Sequence, residues 1–115
     1  MSRSSKRQEA FSPDRTIHEP VRLQIVSYLA TGARQVAFTE LRDRLGLTAG
    51  NLSVQLRRLE EAGYVAISKT FSERKPLTRV SLTKEGLSAL ERYLSDLEHM
   101  ISQLKETTSA EDKAE

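Results

Sequence analysis

Between residues 48 and 58 of this 115-residue chain, Thr48, Asn51, Ser53, Val54, Gln55, Arg57 and Arg58 are interleaved with leucines at helical spacing. With Leu52, Leu56 and Leu59 on a buried face, a rotation of about 100° per residue turns Gly50, Val54, Arg57, Arg58 and Glu61 to the far side. Asn51, Ser53 and Gln55 fall on its flanks. An amide side chain holds a donor beside an acceptor, the pattern that matches the N6 and N7 edge of adenine, and a valine can meet a thymine methyl group. Residues near a helix start reach deepest into a groove, so Thr48, Asn51, Val54 and Gln55 are the expected base readers, with Ser53 beside them. Arg57 and Arg58 sit later, where phosphate is the commoner partner. An amphipathic helix with a solvated polar face has the same pattern, so the helix alone leaves both readings open.

The residues that follow favour the first. Residues 64–71 and 78–82 alternate apolar with polar side chains through Val65, Ile67, Val80 and Leu82. Between them Ser72-Glu73-Arg74-Lys75-Pro76 makes a polar tip, so the segment reads as a hairpin. Arg74 and Lys75 at the tip, with Arg79 on the return strand, suit a duplex backbone or its minor groove. Charge agrees: residues 34–83 carry nine Lys or Arg against five Asp or Glu, whereas residues 84–115 carry four against eight. A polyanion-binding middle and a C-terminal segment with another task are implied.

Several elements must position these groups. From residue 20 to 30, Val21, Ile25, Tyr28 and Leu29 recur at helical spacing, Leu23 and Val26 add a second apolar face, and Gly32 ends the helix. A short turn starting at Ser12-Pro13-Asp14 precedes it, because Pro20 biases Glu19 away from helix. Val36-Ala37-Phe38 is a short extended run; Thr39 is the expected cap of a second helix over residues 40–45. Gly46 stops that helix, Thr48 caps the third over residues 49–62, and Gly63 closes it. Thr83 caps a last helix reaching about residue 105.

Composition excludes other chemistries. Without cysteine there are no disulfides, thiolate metal sites or Cys nucleophile. No phosphate-binding glycine loop, nucleophile elbow or protease-type zinc pair occurs, and His18 and His99 are far apart, so neither enzymatic activity nor a cofactor is expected. No apolar run approaches a membrane span and the N-terminus lacks an apolar signal core, so a cytoplasmic protein without membrane contact is expected.

The stretches "GNLSVQLRRLEEAGYV" (residues 50–65) and "SLTKEG" (residues 81–86), with "HEPVRLQIVSYLA" (residues 18–30) ahead of them, resemble winged helix-turn-helix regulators of the MarR and ArsR type, above all their compact single-domain members. The resemblance covers residues 20–104. It implies a mainly α fold with a small β-hairpin, dimerisation through terminal helices, and repression by binding palindromic double-stranded DNA. Metal-sensing members use Cys clusters or paired His and carboxylate ligands on terminal helices. Here Asp96 and His99 are the one such pair, and no metal site is expected. The sequence identifies no small-molecule effector.

The last helix carries its own pattern. Leu87, Leu90, Leu94, Leu97, Ile101 and Leu104 follow a 3-4 spacing, the seam of a homodimer, while Ala89, Tyr93 and Met100 form a second stripe for the domain body. The expected organisation is a disordered basic arm (1–12), a DNA-binding domain (13–82), a dimerisation helix (83–105) and a disordered acidic tail (106–115). Two alternatives remain from sequence: a winged-helix protein-interaction module, and an architectural DNA binder without sequence preference.

Overall fold

The computed structural model describes residues 12–114, with side chains to residue 109; the expected arm, Ser12 apart, lies outside the described residues. The order is helix α1 (Pro20–Thr31), strand β1 (Gln35–Ala37), helix α2 (Phe38–Leu45), helix α3 (Ala49–Glu61), strands β2 (Val65–Ser72) and β3 (Lys75–Leu82), and helix α4 (Lys84–Ala114). The short extended run at Val36 is a third strand, and the antiparallel sheet has the order β1-β3-β2.

Ahead of α1, the Asp14 carboxylate accepts from the backbone N–H of Thr16 (2.8 Å) and Ile17 (3.3 Å), closing a turn that buries Ile17 completely. Its other oxygen accepts from the Tyr64 hydroxyl, which ties the turn to the end of α3. That bond holds the Tyr64 phenol above its ordinary pKa, because ionisation would break it and set a phenolate against a carboxylate. Glu19 has extended backbone and caps α1 through a carboxylate that accepts from Arg22 N–H (2.8 Å), with Pro20 in the first turn.

The core forms where α1 (Ile25, Val26, Leu29), α2 (Leu41) and α3 (Leu52, Leu56, Leu59) meet the inner face of the sheet at Val36, Val65 and Val80. Each fully buried leucine contributes about 1.5–3 kcal/mol relative to exposure. Helix α4 closes this core with Ala89, Leu90 and Tyr93, and the Tyr93 hydroxyl lies 2.9 Å from Nδ1 of His18. Leu90, expected in a dimer seam, is therefore a monomer-core residue. It lies on the same side of α4 as Gly86 and Tyr93, where the helix still rests on the domain.

Three further expectations are corrected. Helix α2 starts at Phe38, directly out of β1, with Ala37 as an N-cap that makes no side-chain bond; Thr39 lies inside the helix. The hairpin loop is only Glu73-Arg74, both with positive φ (51° and 70°), the geometry of a tight two-residue turn that follows strand twist. Pro76 is consequently within β3, paired with Phe71. Strand β1 reaches only residues 79–81 of β3, and Ser72–Lys75 is the pair next to the loop, so the Pro76 nitrogen points to an open flank where no ladder bond is lost. Finally, α4 continues to Ala114 instead of ending near Lys105, since residues 105–114 contain no Gly or Pro to stop it.

Gly86 sets the angle at which α4 leaves the sheet. A Cβ there would stand 2.2 Å from the Tyr64 carbonyl oxygen and 2.7 Å from Leu82 Cδ1. The Thr83 hydroxyl clamps the same junction, donating to Gly63 O (2.7 Å) and accepting from Gly86 N–H (2.9 Å). Gly86→Ala should lower unfolding stability by about 1–3 kcal/mol or more in urea titrations. At Gly50 an added Cβ meets open space, and Gly50→Ala should hold or raise stability by up to about 1 kcal/mol. Equal midpoints for Gly86→Ala and the wild type would refute the close approach.

Candidate nucleic-acid interface

Three residues separate α2 from α3. Gly46 takes a left-handed conformation (φ 66°), which lets its own N–H reach Asp43 O (3.3 Å) and Leu47 N–H reach Arg42 O (3.0 Å), closing α2. Thr48 is then the N-cap of α3, its Oγ1 accepting from Asn51 N–H at 3.0 Å. Expected as a base reader, Thr48 thus spends its oxygen on the start of the helix. With Leu52, Leu56 and Leu59 buried, α3 exposes Asn51, Ser53, Val54, Arg57 and Arg58; Val54 is 49% exposed at the centre of that face. The outward positions derived from 3.6-residue periodicity are those found.

Gln55 is half-buried. Its Oε1 accepts from Nη1 of Arg22 on α1 (2.8 Å), and its Nε2 donates to Asn51 Oδ1 (3.1 Å). Arg22 is itself fixed by Nε, which donates to Thr16 O at 2.6 Å. Sequence reading missed Arg22, for which the one available sign was a charge within a helix apolar on two faces.

The two adjacent arginines of α3 go to opposite flanks. Arg57, Ser53 and Glu60 line a depression shared with Lys69 and Thr78 of the hairpin. Arg58 lines a second depression, beside Arg15, Arg22 and Glu61. Register explains the first. The pairs Val65–Leu82, Ile67–Val80, Lys69–Thr78 and Phe71–Pro76 share one sheet face, and Val65 and Val80 fix it as the face toward α3. Lys69 therefore faces the groove beside α3, a role the sequence reading did not give it. Arg79 pairs with Ser68 on the opposite face, away from that groove. Arg74 and Lys75 are exposed at the tip, as expected for a wing.

No ion pair among the described residues engages these cations. Among the described residues the single ion pair joins Arg42 to Asp43 (2.8 Å), where it holds the Asp43 carboxyl below its ordinary range. Arg57, Arg58, Lys69, Arg74 and Lys75 are exposed, on α3 and the hairpin beside it. No group of three or more His, Cys, Asp or Glu able to hold a metal occurs among the described residues, and no helix there is long and apolar enough to cross a membrane.

A three-helix core, a helix-turn-helix whose second helix is exposed, and a hairpin beside it define the winged helix class. The chain belongs to the winged helix DNA-binding domain family, whose model matches residues 21–101. An uncharacterized protein of Methanocaldococcus jannaschii is 32% identical over 77 residues, 67% of this chain and 83% of that protein. Among solved structures, a transcriptional regulator homologue from Pyrococcus horikoshii OT3 is similar with TM-score 0.74 and 35% identity, over 79% of this chain and 89% of that one. A MarR-family regulator from Enterococcus faecalis V583 is similar with TM-score 0.63 and 27% identity, over 96% and 94% of the two chains.

Placement of the cations predicts how salt will act. Arg74→Ala with Lys75→Ala should flatten the slope of log affinity for duplex DNA against log salt by about one to two phosphate contacts per wing. Lys69→Ala should flatten it more than Arg79→Ala, because only Lys69 faces the α3 groove. Equal effects of the last two, in fluorescence anisotropy over a salt series, would mean that DNA does not run between wing and helix.

Proposed function

We propose that this protein is a sequence-specific transcriptional regulator that binds a palindromic operator as a homodimer and represses by occupying it. The observation that carries the proposal is the outer face of α3, where amides, a central valine and unpaired arginines stand beside a cationic hairpin. In this reading Asn51 and Gln55 read base edges, Val54 meets a thymine methyl, and Ser53, Arg57, Arg58 and the wing hold phosphates. An apolar partner face would suit a protein groove instead; here Val54 is the one large apolar side chain exposed on α3.

The dimer is supported by α4. Leu94 (46% exposed), Ile101 (41%) and Leu104 (58%) stay at the surface, with Leu87 and Leu97 half-buried beside them. Their spacing is that of a helical seam, and a second copy is the partner that a two-fold operator requires. Selection from random duplexes at stated salt should return a recurring inverted repeat with half-sites about 10 bp apart or a small multiple of that. Recovery of no common sequence would replace the proposal with architectural binding.

Burial separates the two roles of α4. Leu94→Asp with Ile101→Asp places charges at half-exposed positions outside the monomer core, so sedimentation should show a folded monomer with weakened operator binding. Leu90→Asp buries an unpaired carboxylate in the core and should unfold the chain. A double variant that sediments as a full-strength dimer would show that this stripe is not the seam.

A further inference from the structure

We propose that Arg22, a residue of α1 outside the helix-turn-helix, sets the base preference of α3 by fixing which end of two amides faces outward. The inference rests on the proposed reading of Asn51 as a base reader and assigns the base it selects.

A guanidinium has only donors. The Gln55 amide 2.8 Å from Arg22 Nη1 must therefore present its oxygen to Arg22, which turns its NH2 toward Asn51. That NH2 donates to Asn51 Oδ1 at 3.1 Å, so the Asn51 amide is also oriented, with its oxygen toward Gln55 and its Nδ2 hydrogens left over. Among the described residues no protein group accepts from Asn51 Nδ2, and Asn51 is exposed. Arg22 is a firm origin for this relay, since Nε is bound to Thr16 O at 2.6 Å and its own backbone N–H is capped by Glu19. The relay thus runs in one direction, Arg22 to Gln55 to Asn51, and leaves both Nδ2 hydrogens of Asn51 without a protein acceptor among the described residues.

An unconstrained asparagine favours adenine because it can donate to N7 while accepting from N6. Here the Asn51 oxygen is turned toward Gln55 with one of its two lone pairs taken, so the freer end of the amide is its NH2, which adenine's N6 hydrogens would oppose. Guanine offers two adjacent acceptors, N7 and O6, and suits an amide that leads with its NH2; adenine N7 and thymine O4 offer one acceptor each, and cytosine N4 offers only donors. The base facing Asn51 in each half-site is therefore guanine. Arg22 acts here as a positioning residue that need not touch DNA.

Affinities for the four base pairs at the position lost in Asn51→Ala, measured on a selected operator, test this. Wild type should prefer guanine over adenine about tenfold. Arg22→Met keeps the bulk of the stem but frees the Gln55 amide to turn, and the preference should pass to adenine. Arg22→Lys, also a pure donor, should retain guanine. Gln55→Glu keeps an acceptor for Arg22 but accepts from Asn51, so Asn51 must turn its oxygen outward and guanine should become the poorest base. This variant sits at a half-exposed site and tests the relay even if Arg22→Met does not fold. A purely structural Arg22 would lower affinity for every base pair alike, and an unchanged profile in both Arg22→Met and Gln55→Glu overturns the proposal. In that case wild type would still select a sequence, whereas wild type without any base preference would remove the regulator reading and this proposal together.

Discussion

Everything that α3 can present follows from the seating of three leucines. Leu52, Leu56 and Leu59 are at most 2% exposed, inserted against α1, α2 and the sheet. Together they hold the helix against rotation about its axis, because turning it by one residue would expose a leucine and bury an amide or a guanidinium, each at a cost of some kcal/mol. The capped start at Thr48 fixes the helix along its axis in the same way. Between them these two restraints choose Val54 as the centre of the outer face and send Arg57 and Arg58 to different grooves. In the proposed reading, affinity comes from exposed surface cations and selectivity from groups whose placement packing fixes.

Much of this was readable in the sequence because local periodicity and punctuation agree. The leucine spacing of α3, the left-handed Gly46 and the Thr48 cap are determined within a few residues of themselves, as is the alternation of the hairpin. What sequence could not supply depended on tertiary neighbours. Whether Leu90 faces its own core or a partner depends on how far α4 stays in contact with the domain, which Gly86 and the Tyr64 carbonyl decide from residues far apart in the chain. Pro76 looked like a turn residue because its tolerance inside a strand depends on where β1 ends. Lys69 and Arg79 differ by sheet face, which needs the register. Arg22 meets Gln55 across 33 positions, and no local pattern announces that contact.

The charge division along the chain also gains a physical form. Five cations of the basic middle, Arg57, Arg58, Lys69, Arg74 and Lys75, are exposed on α3 and on the hairpin beside it, while Arg79 faces the other side of the sheet. The acidic final third becomes the polar surface of α4, with Glu91, Asp96 and Glu98 exposed. Separation by element rather than by ion pairing leaves the basic side available to a polyanion, with repulsion for one approaching α4.

Helix α4 answers to two different requirements along its length. As far as Tyr93 and Leu97 its inner side chains are tied to the fold of a single chain, so substitutions there are paid in stability. Ile101 and Leu104, with Lys105, Thr108 and Ser109 around them, line only an open surface depression. Substitutions there touch no core residue of the single chain, which leaves that surface open to selection by whatever it meets. Under the proposed pairing, duplicated copies of such a gene that diverge at the end of α4 would cease to mix while keeping the same winged helix domain.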